Sequence, residues 1–338
     1  MYRIILVILV FFFNISTPHS KEVNIFSDRH YDSDHELYKK FTKQTGIKVN
    51  IFSGKGKQLE KRILEEGVDC KADLLIIADA GRLYSAEKKN LFQKINSEVL
   101  NEKIPSHLRT EFWYGIAKRS RIIYYNPEFT NYKDVKKLSY EDLSNKRWRK
   151  KILIRQSNNI YNQSLVASLI ENNGEEKTFQ WVKSLVKNMA KSPSGNDRTQ
   201  ILGVAAGEAE LAVANSYYYA LMLSGKKGND QKRAAEKVRP LFPNQENRGT
   251  HMNISGGGIL KFAKNKTNAI KLLEFLVTKD AQKHIVGNTF EYPIRNDVEP
   301  HKIIEGMGNF KQDVETEISS YGKNQAKAKT LMLKAGWR

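Results

Sequence analysis

Short apolar runs alternate with amphipathic stretches along most of the chain. The run at residues 23–26 is followed by Leu37, Tyr38 and Phe41, which recur at the three-and-four spacing of one helical face; Asp34 is placed to cap the start of that helix and Gly46 its end. A second strand is predicted at 48–52, then a helix ending near Gly67 and a third strand at 73–77. After a long β-prone stretch at 112–125 the rhythm resumes, with strand 152–155, helices over 163–172, 179–189 and 199–206, strand 210–214, and one long helix over 269–286. Strands and helices alternating in this way build βαβ units, so the fold class is α/β, with mostly parallel sheets flanked by helices.

The aromatic and β-branched stretch at 112–125 stands between the two halves and is a candidate for a strand that passes from one domain to the other. Residues 253–262 are a candidate for a second crossing, because Gly256, Gly257 and Gly258 allow close backbone approach. Two crossings make a hinge between two lobes, neither continuous in sequence: residues 21–118 plus about 250–298 in one, 119–249 plus about 299–338 in the other. A chain of 338 residues also exceeds what one hydrophobic core usually organises.

The first twenty residues carry a different pattern. Arg3 precedes an unbroken apolar run at 4–13 and a short polar stretch ending at Ser20, too short to span a bilayer and suited to the core of a signal peptide. Residues 1–20 are therefore read as a signal peptide and the rest as exported. Export changes how the net charge of +19 is read. The densest basic run is 146–151 (KRWRKK), but the other Lys and Arg are dispersed on polar helix faces and no zinc-finger, RNP or basic-zipper pattern is present, which argues for no nucleic-acid partner. The single cysteine, Cys70, excludes an intramolecular disulfide framework and a cysteine-rich metal site. His-Glu-x-x-His, Gly-x-Ser-x-Gly and phosphate-loop patterns are missing and no nucleophile has an evident base, so a binding protein is expected and not an enzyme.

Open α/β sheets bind ligands just past the carboxyl ends of their strands. The loops there are 27–31 (SDRHY), 78–79, 156–161 and 215–219 (NSYYY), and three of the four deliver tyrosine, a residue more at home in strands. Successive tyrosines on a regular helix point about 100° apart. Tyr217 and Tyr218 therefore converge only at an irregular strand-to-helix junction, which the capping residues Asn215 and Ser216 supply, while Tyr219 turns away to pack. Such a cluster can form an aromatic wall that packs a core or stacks a ligand. Its phenols can also lose their protons to a highly charged cation, and hard trivalent iron suits oxygen donors in a chain whose single cysteine excludes a cysteine-rich site.

The order of 28–31 (DRHY), 72–83 (ADLLIIADAGRL), 215–219 (NSYYY), 253–256 (NISG) and the terminal 335–338 (AGWR) resembles the ferric-iron-binding proteins of ABC importers, particularly their cyanobacterial-type branch, over nearly the whole chain from Val23. That resemblance implies a two-lobed periplasmic-binding-protein fold whose interlobe cleft holds Fe(III) as cargo through Tyr31, Tyr161, Tyr217 and Tyr218, with Fe(II) as a second candidate. It also implies a periplasmic monomer that hands its cargo to an ABC-importer permease in the membrane. His30 matches a histidine that some relatives use as a ligand and is placed here beside the metal. Arg121 matches a family position near the metal and would offset the net negative charge of four phenolates around a trivalent ion, which is costly to bury alone. Relatives that use histidine with glutamate carry the glutamate where this chain has Ala78, which favours the tyrosine-rich version. Asp28 and Arg29 are placed to orient the Tyr31 loop by pairing, and Asp79 to cap the next helix. The alternative is a solute-binding protein for another small ligand such as an anion or polyamine, since a fold does not fix its ligand.

Overall fold

Strand β1 (Glu22–Ser27) pairs in parallel with β2 (Lys48–Ser53) on one side and β3 (Leu74–Ala78) on the other in the computed structural model, which describes residues 21–29 and 31–338. The expected signal peptide at 1–20 and His30 lie outside the described residues. Helices Asp32–Thr45 and Gly56–Glu66 make the crossovers. The first buries Leu37, Tyr38 and Phe41, as their spacing predicts, and stops at Gly46, whose φ of 71° favours glycine.

The central element is β4 (Trp113–Tyr125), a strand long enough to serve two sheets. Through Trp113 to Ser120 it pairs antiparallel with β8 (Met252–Ile259), and from Arg121 on it pairs antiparallel with β6 (Leu211–Asn215). β5 (Ile152–Leu153) runs parallel to β6, and the short β7 (Arg239–Leu241) and β9 (Tyr292–Pro293) pair with β4. The resulting order is β2-β1-β3-β8-β4-β6-β5. The outer strands are thus parallel, as βαβ units require, whereas β8 runs antiparallel to both β3 and β4, and β4 antiparallel to β6. A Cβ on Gly256 would stand 2.7 Å from Leu83 and from the Tyr114 carbonyl, and one on Gly258 2.7 Å from Phe92, so the glycines let β8 lie this close to its neighbours.

Buried apolar side chains follow this division. One cluster gathers Ile25, Phe41, Leu75, Trp113, Ile254 and Leu273 around β1 to β3. Two others cover opposite sides of the second sheet, one with Trp148, Leu165, Trp181 and Trp337, the other with Tyr124, Ile201, Ala220 and Phe290. The change of cluster along β4 falls between Ala117 and Ile122. One expectation is corrected: the single helix over 269–286 is two helices, Lys266–Leu276 and Lys279–Thr289. Thr278 breaks it, since its hydroxyl accepts from the Ala281 amide and donates to the Phe275 carbonyl, a local alternative to helical bonding. No helix among the described residues is long and apolar enough to cross a membrane.

Candidate metal centre

Each of the four candidate tyrosines stands at the start of a helix. Tyr31 is the extended residue immediately before helix Asp32–Thr45. Tyr161 lies in the first turn of helix Ile160–Asn173, one step further into regular structure than the expected loop, and Asn159 caps that turn by accepting from the Asn162 amide. Strand β6 runs directly into helix Ser216–Leu223, so Tyr217 and Tyr218 fall in its first turn. Asn215 occupies the N-cap position, but its side chain is turned to Arg121 and caps nothing. A helix start carries the positive end of the backbone dipole, which favours negative charge on a phenol oxygen held there.

The four tyrosines line one cavity of about 630 Å³, together with Arg29, Arg119 and Glu291. The hydroxyls of Tyr161 and Tyr217 are 3.4 Å apart, and the rings of Tyr217 and Tyr218 lie 4.2 Å apart at 32°. Burial, reinforced by Glu291, holds the Tyr31 phenol well above its ordinary range. Burial and the neighbouring phenols Tyr161, Tyr218 and Tyr31 do the same to Tyr217, and Tyr218 is pushed up to about 12 by burial and Tyr161. The phenol oxygens thus feel one another's charge, and a cation among them would relieve burial and repulsion together. Among the described residues no group of three or more His, Cys, Asp or Glu could hold a metal, and the four phenols stand in this cavity beside the carboxylates of Asp28, Asp32 and Glu291. Tyr219 turns away: its hydroxyl donates to the Val238 carbonyl at 3.1 Å and its ring meets Tyr124.

The charged surroundings differ from expectation in two ways. Arg121 does not line the cavity. Its guanidinium is bound one layer behind, donating to Asp197 at 2.9 Å, to the Asn215 side chain at 2.9 Å and to the Asn162 side chain at 2.5 Å, so it braces the backbone next to Tyr217 and Tyr161 instead of facing a metal. The arginine that faces the tyrosines is Arg119, two residues earlier on the same face of β4, with its guanidinium carbon 5.2 Å from the Tyr161 ring centre. Asp28 accepts from Arg82 at 2.8 Å, while Arg29 pairs with Asp34 at 2.9 Å and Glu291 at 3.1 Å and lies over the Tyr31 ring at 4.9 Å.

Glu291 went unnoticed in the sequence. It is 1% exposed and both oxygens are engaged, one by Arg29 and the other by Arg119 and Ser255, so it ties the two cavity arginines together. Its only local signal is an acidic residue between Phe290 and Tyr292 in an otherwise buried stretch. Ala78 lines the cavity and brings no oxygen side chain to it. Asp79 caps the next helix by accepting from the Gly81 amide, as expected, and also accepts from Ser164, one turn beyond Tyr161, which ties the Tyr161 helix to β3.

Comparison with known proteins gives the family. Residues 69–307 match the family described as bacterial extracellular solute-binding protein. The chain is 43% identical to iron uptake protein A1 of Synechocystis sp. over 320 residues, covering 94% of this chain and 88% of that protein. Among solved structures it superimposes on Trichodesmium IdiA (FutA) in complex with iron and citrate ligands with a TM-score of 0.90 at 46% identity, covering 94% of this chain and 100% of that one. The ferric binding protein from Campylobacter jejuni superimposes with a TM-score of 0.87 at 38% identity, covering 94% of this chain and 100% of that one. With a two-lobed fold and these relatives across nearly its whole described length, the chain belongs to the bacterial extracellular solute-binding protein family, in the branch of the iron uptake and ferric-iron-binding proteins.

Proposed function

We propose that this protein captures ferric iron in its interlobe cleft through Tyr31, Tyr161, Tyr217 and Tyr218 and delivers it to an ABC permease. The observation that carries this reading is the convergence of four phenols, from three separate helix starts, on one cavity. The Synechocystis relative is an iron uptake protein and the Trichodesmium relative is in complex with iron and citrate, which supports the same cargo here. Ferrous iron, with its lower charge, gains less from anionic oxygens. Residues 1–20 direct export to the periplasm, where the protein works as a monomer and does no chemistry on its cargo. Tyr31 belongs to the lobe of residues 21–118 plus about 250–298; the other three tyrosines belong to the lobe of 119–249 plus about 299–338. A cation shared between them favours the closed arrangement by the difference in its affinity for the closed and open forms, and the permease reads that closed shape.

Metal analysis of protein purified without chelators tests the cargo, with visible absorbance as the second readout. The expected result is one ferric ion per chain and a phenolate-to-iron charge-transfer colour. Uptake of an organic anion or polyamine in the absence of any iron would overturn the reading.

Binding should also release protons. The phenols of Tyr31 and Tyr217 are held well above their ordinary range and Tyr218 near 12, so all three carry protons at pH 7 and must lose them to bind as phenolates. Below those pKa values, affinity rises with pH, by up to about tenfold per pH unit for each proton released, and falls on acidification. Calorimetry in buffers of different ionisation enthalpy, corrected for the chelator that supplies the iron, is expected to count about four protons per ferric ion, one from each phenol that ligates. A count near zero means that the phenols do not ligate.

A further inference from the structure

Side chains on β4 alternate between its two faces. Arg119 therefore faces the tyrosine cavity, and Lys118 faces away from it into a second cavity of about 520 Å³, which Tyr292, Arg295, Glu299, Glu305 and Gln312 also line. The two cavities share no lining residue. A volume of this order lies within the roughly 300–1,000 Å³ typical of small-molecule sites.

Lys118 is 6% exposed, yet its ammonium has no hydrogen-bond or ion-pair partner among the described residues. This sets it apart from the buried arginines: Arg29 and Arg119 pair with Glu291, Arg121 with Asp197, and Arg295 with Asp297. Burying an ammonium without an opposite charge is costly, and desolvation pushes Lys118 down to about 8. Its neighbours do not repair this. His107, whose pKa is lowered by its own burial and then by Lys118, is a second basic group, and the carboxylates of Glu299 and Glu305 belong to exposed residues that form no ion pair with Lys118. Arg295 already donates to both oxygens of Asp297 and to the Val277 carbonyl, so its charge is met.

We infer that this cavity is a binding site for a small oxyanion, a carboxylate or a phosphate, whose charge meets the Lys118 ammonium on the far side of β4 from the tyrosines. The site stands whether or not iron is the cargo of the cleft.

The test is titration calorimetry of the chain from residue 21 onward at pH 7, with inorganic phosphate and, separately, with malonate. Saturable binding of at least one is expected at one site per chain, and the anion that binds identifies the source chemistry. Lys118→Met is expected to weaken it at least tenfold, Lys118→Arg to keep it within a few-fold, and Gln312→Glu, which adds a carboxylate to the same cavity from a half-buried position, to weaken it at least tenfold. Should Lys118→Met fail to fold, Gln312→Glu decides alone. No saturable binding of either anion, or binding unchanged by Lys118→Met and Gln312→Glu, overturns the proposal.

Discussion

Replacing Tyr217 and Tyr218 together with phenylalanine is expected to remove the charge-transfer colour and to lower ferric affinity by more than about 100-fold, beyond the roughly 10–100-fold typical when an outer partner of a metal ligand is lost. The two hydroxyls are what change, because both rings keep their volume and their 4.2 Å contact. The fold should therefore survive, with the Tyr161–Tyr217 hydroxyl contact as the main loss, about 0.5–1.5 kcal/mol for one hydrogen bond. Tyr219→Phe makes the control. That hydroxyl serves the Val238 carbonyl and lies outside the cavity, so its removal should cost stability on the same scale and leave the iron spectrum unchanged. Absorbance titration with ferric iron reads both variants side by side. If the double variant keeps the wild-type band, the paired tyrosines are packing residues and the assignment of the donors fails.

The contrast between Tyr218 and Tyr219 was legible in the sequence because it rests on local geometry. A strand ending at Asn215 and a helix starting at Ser216 decide which neighbouring side chains share a direction, and both boundaries have chemical signals. The alternation of strands and helices, the end of the first helix at Gly46 and the long strand shared by two sheets were legible for the same reason. What the sequence left open lies in long-range partnerships. Arg119 and Arg121 share a face of β4 by the two-residue period, so alternation alone cannot say which one reaches the tyrosines. Pairing decides it, since Arg119 still lies opposite β8 and Arg121 already lies opposite β6, inside the second lobe. Glu291 meets Arg29 across 262 positions, and no pattern along the chain announces such an ion pair. The break at Thr278 was lost for the opposite reason: apolar positions continue in helical spacing through it, and one hydroxyl overrides them.

Asp197→Ala is expected to cost about 3–5 kcal/mol, the range for removing one partner of a buried ion pair, and to weaken iron binding although Asp197 does not line the tyrosine cavity. Its carboxylate is fully buried. One oxygen accepts from Arg121 at 2.9 Å and from the Asn215 amide at 3.0 Å, and the other accepts from Arg155 at 2.7 Å. Arg121 in turn holds the side chains of Asn162 and Asn215, the residues flanking Tyr161 and the Tyr217 helix. One carboxylate thus fixes the relative position of two helix starts, and its loss leaves two guanidinium groups facing each other without a counter-charge. Trp148, Trp181 and Trp337 sit in an apolar cluster of this lobe, whereas Trp113 sits in the other lobe's core, so denaturant unfolding followed by tryptophan fluorescence reports chiefly on the lobe in question. Asp197→Asn keeps an acceptor for Arg121 and the Asn215 amide but removes the charge and turns an NH2 donor toward Arg155, and should fall between wild type and alanine. Ferric affinity is expected to drop by about 10–100-fold in the alanine variant, with the charge-transfer band kept because the four phenols remain. A stability change within about 0.5 kcal/mol would place Asp197 among ordinary surface positions and remove the bracing role from the Arg121 layer.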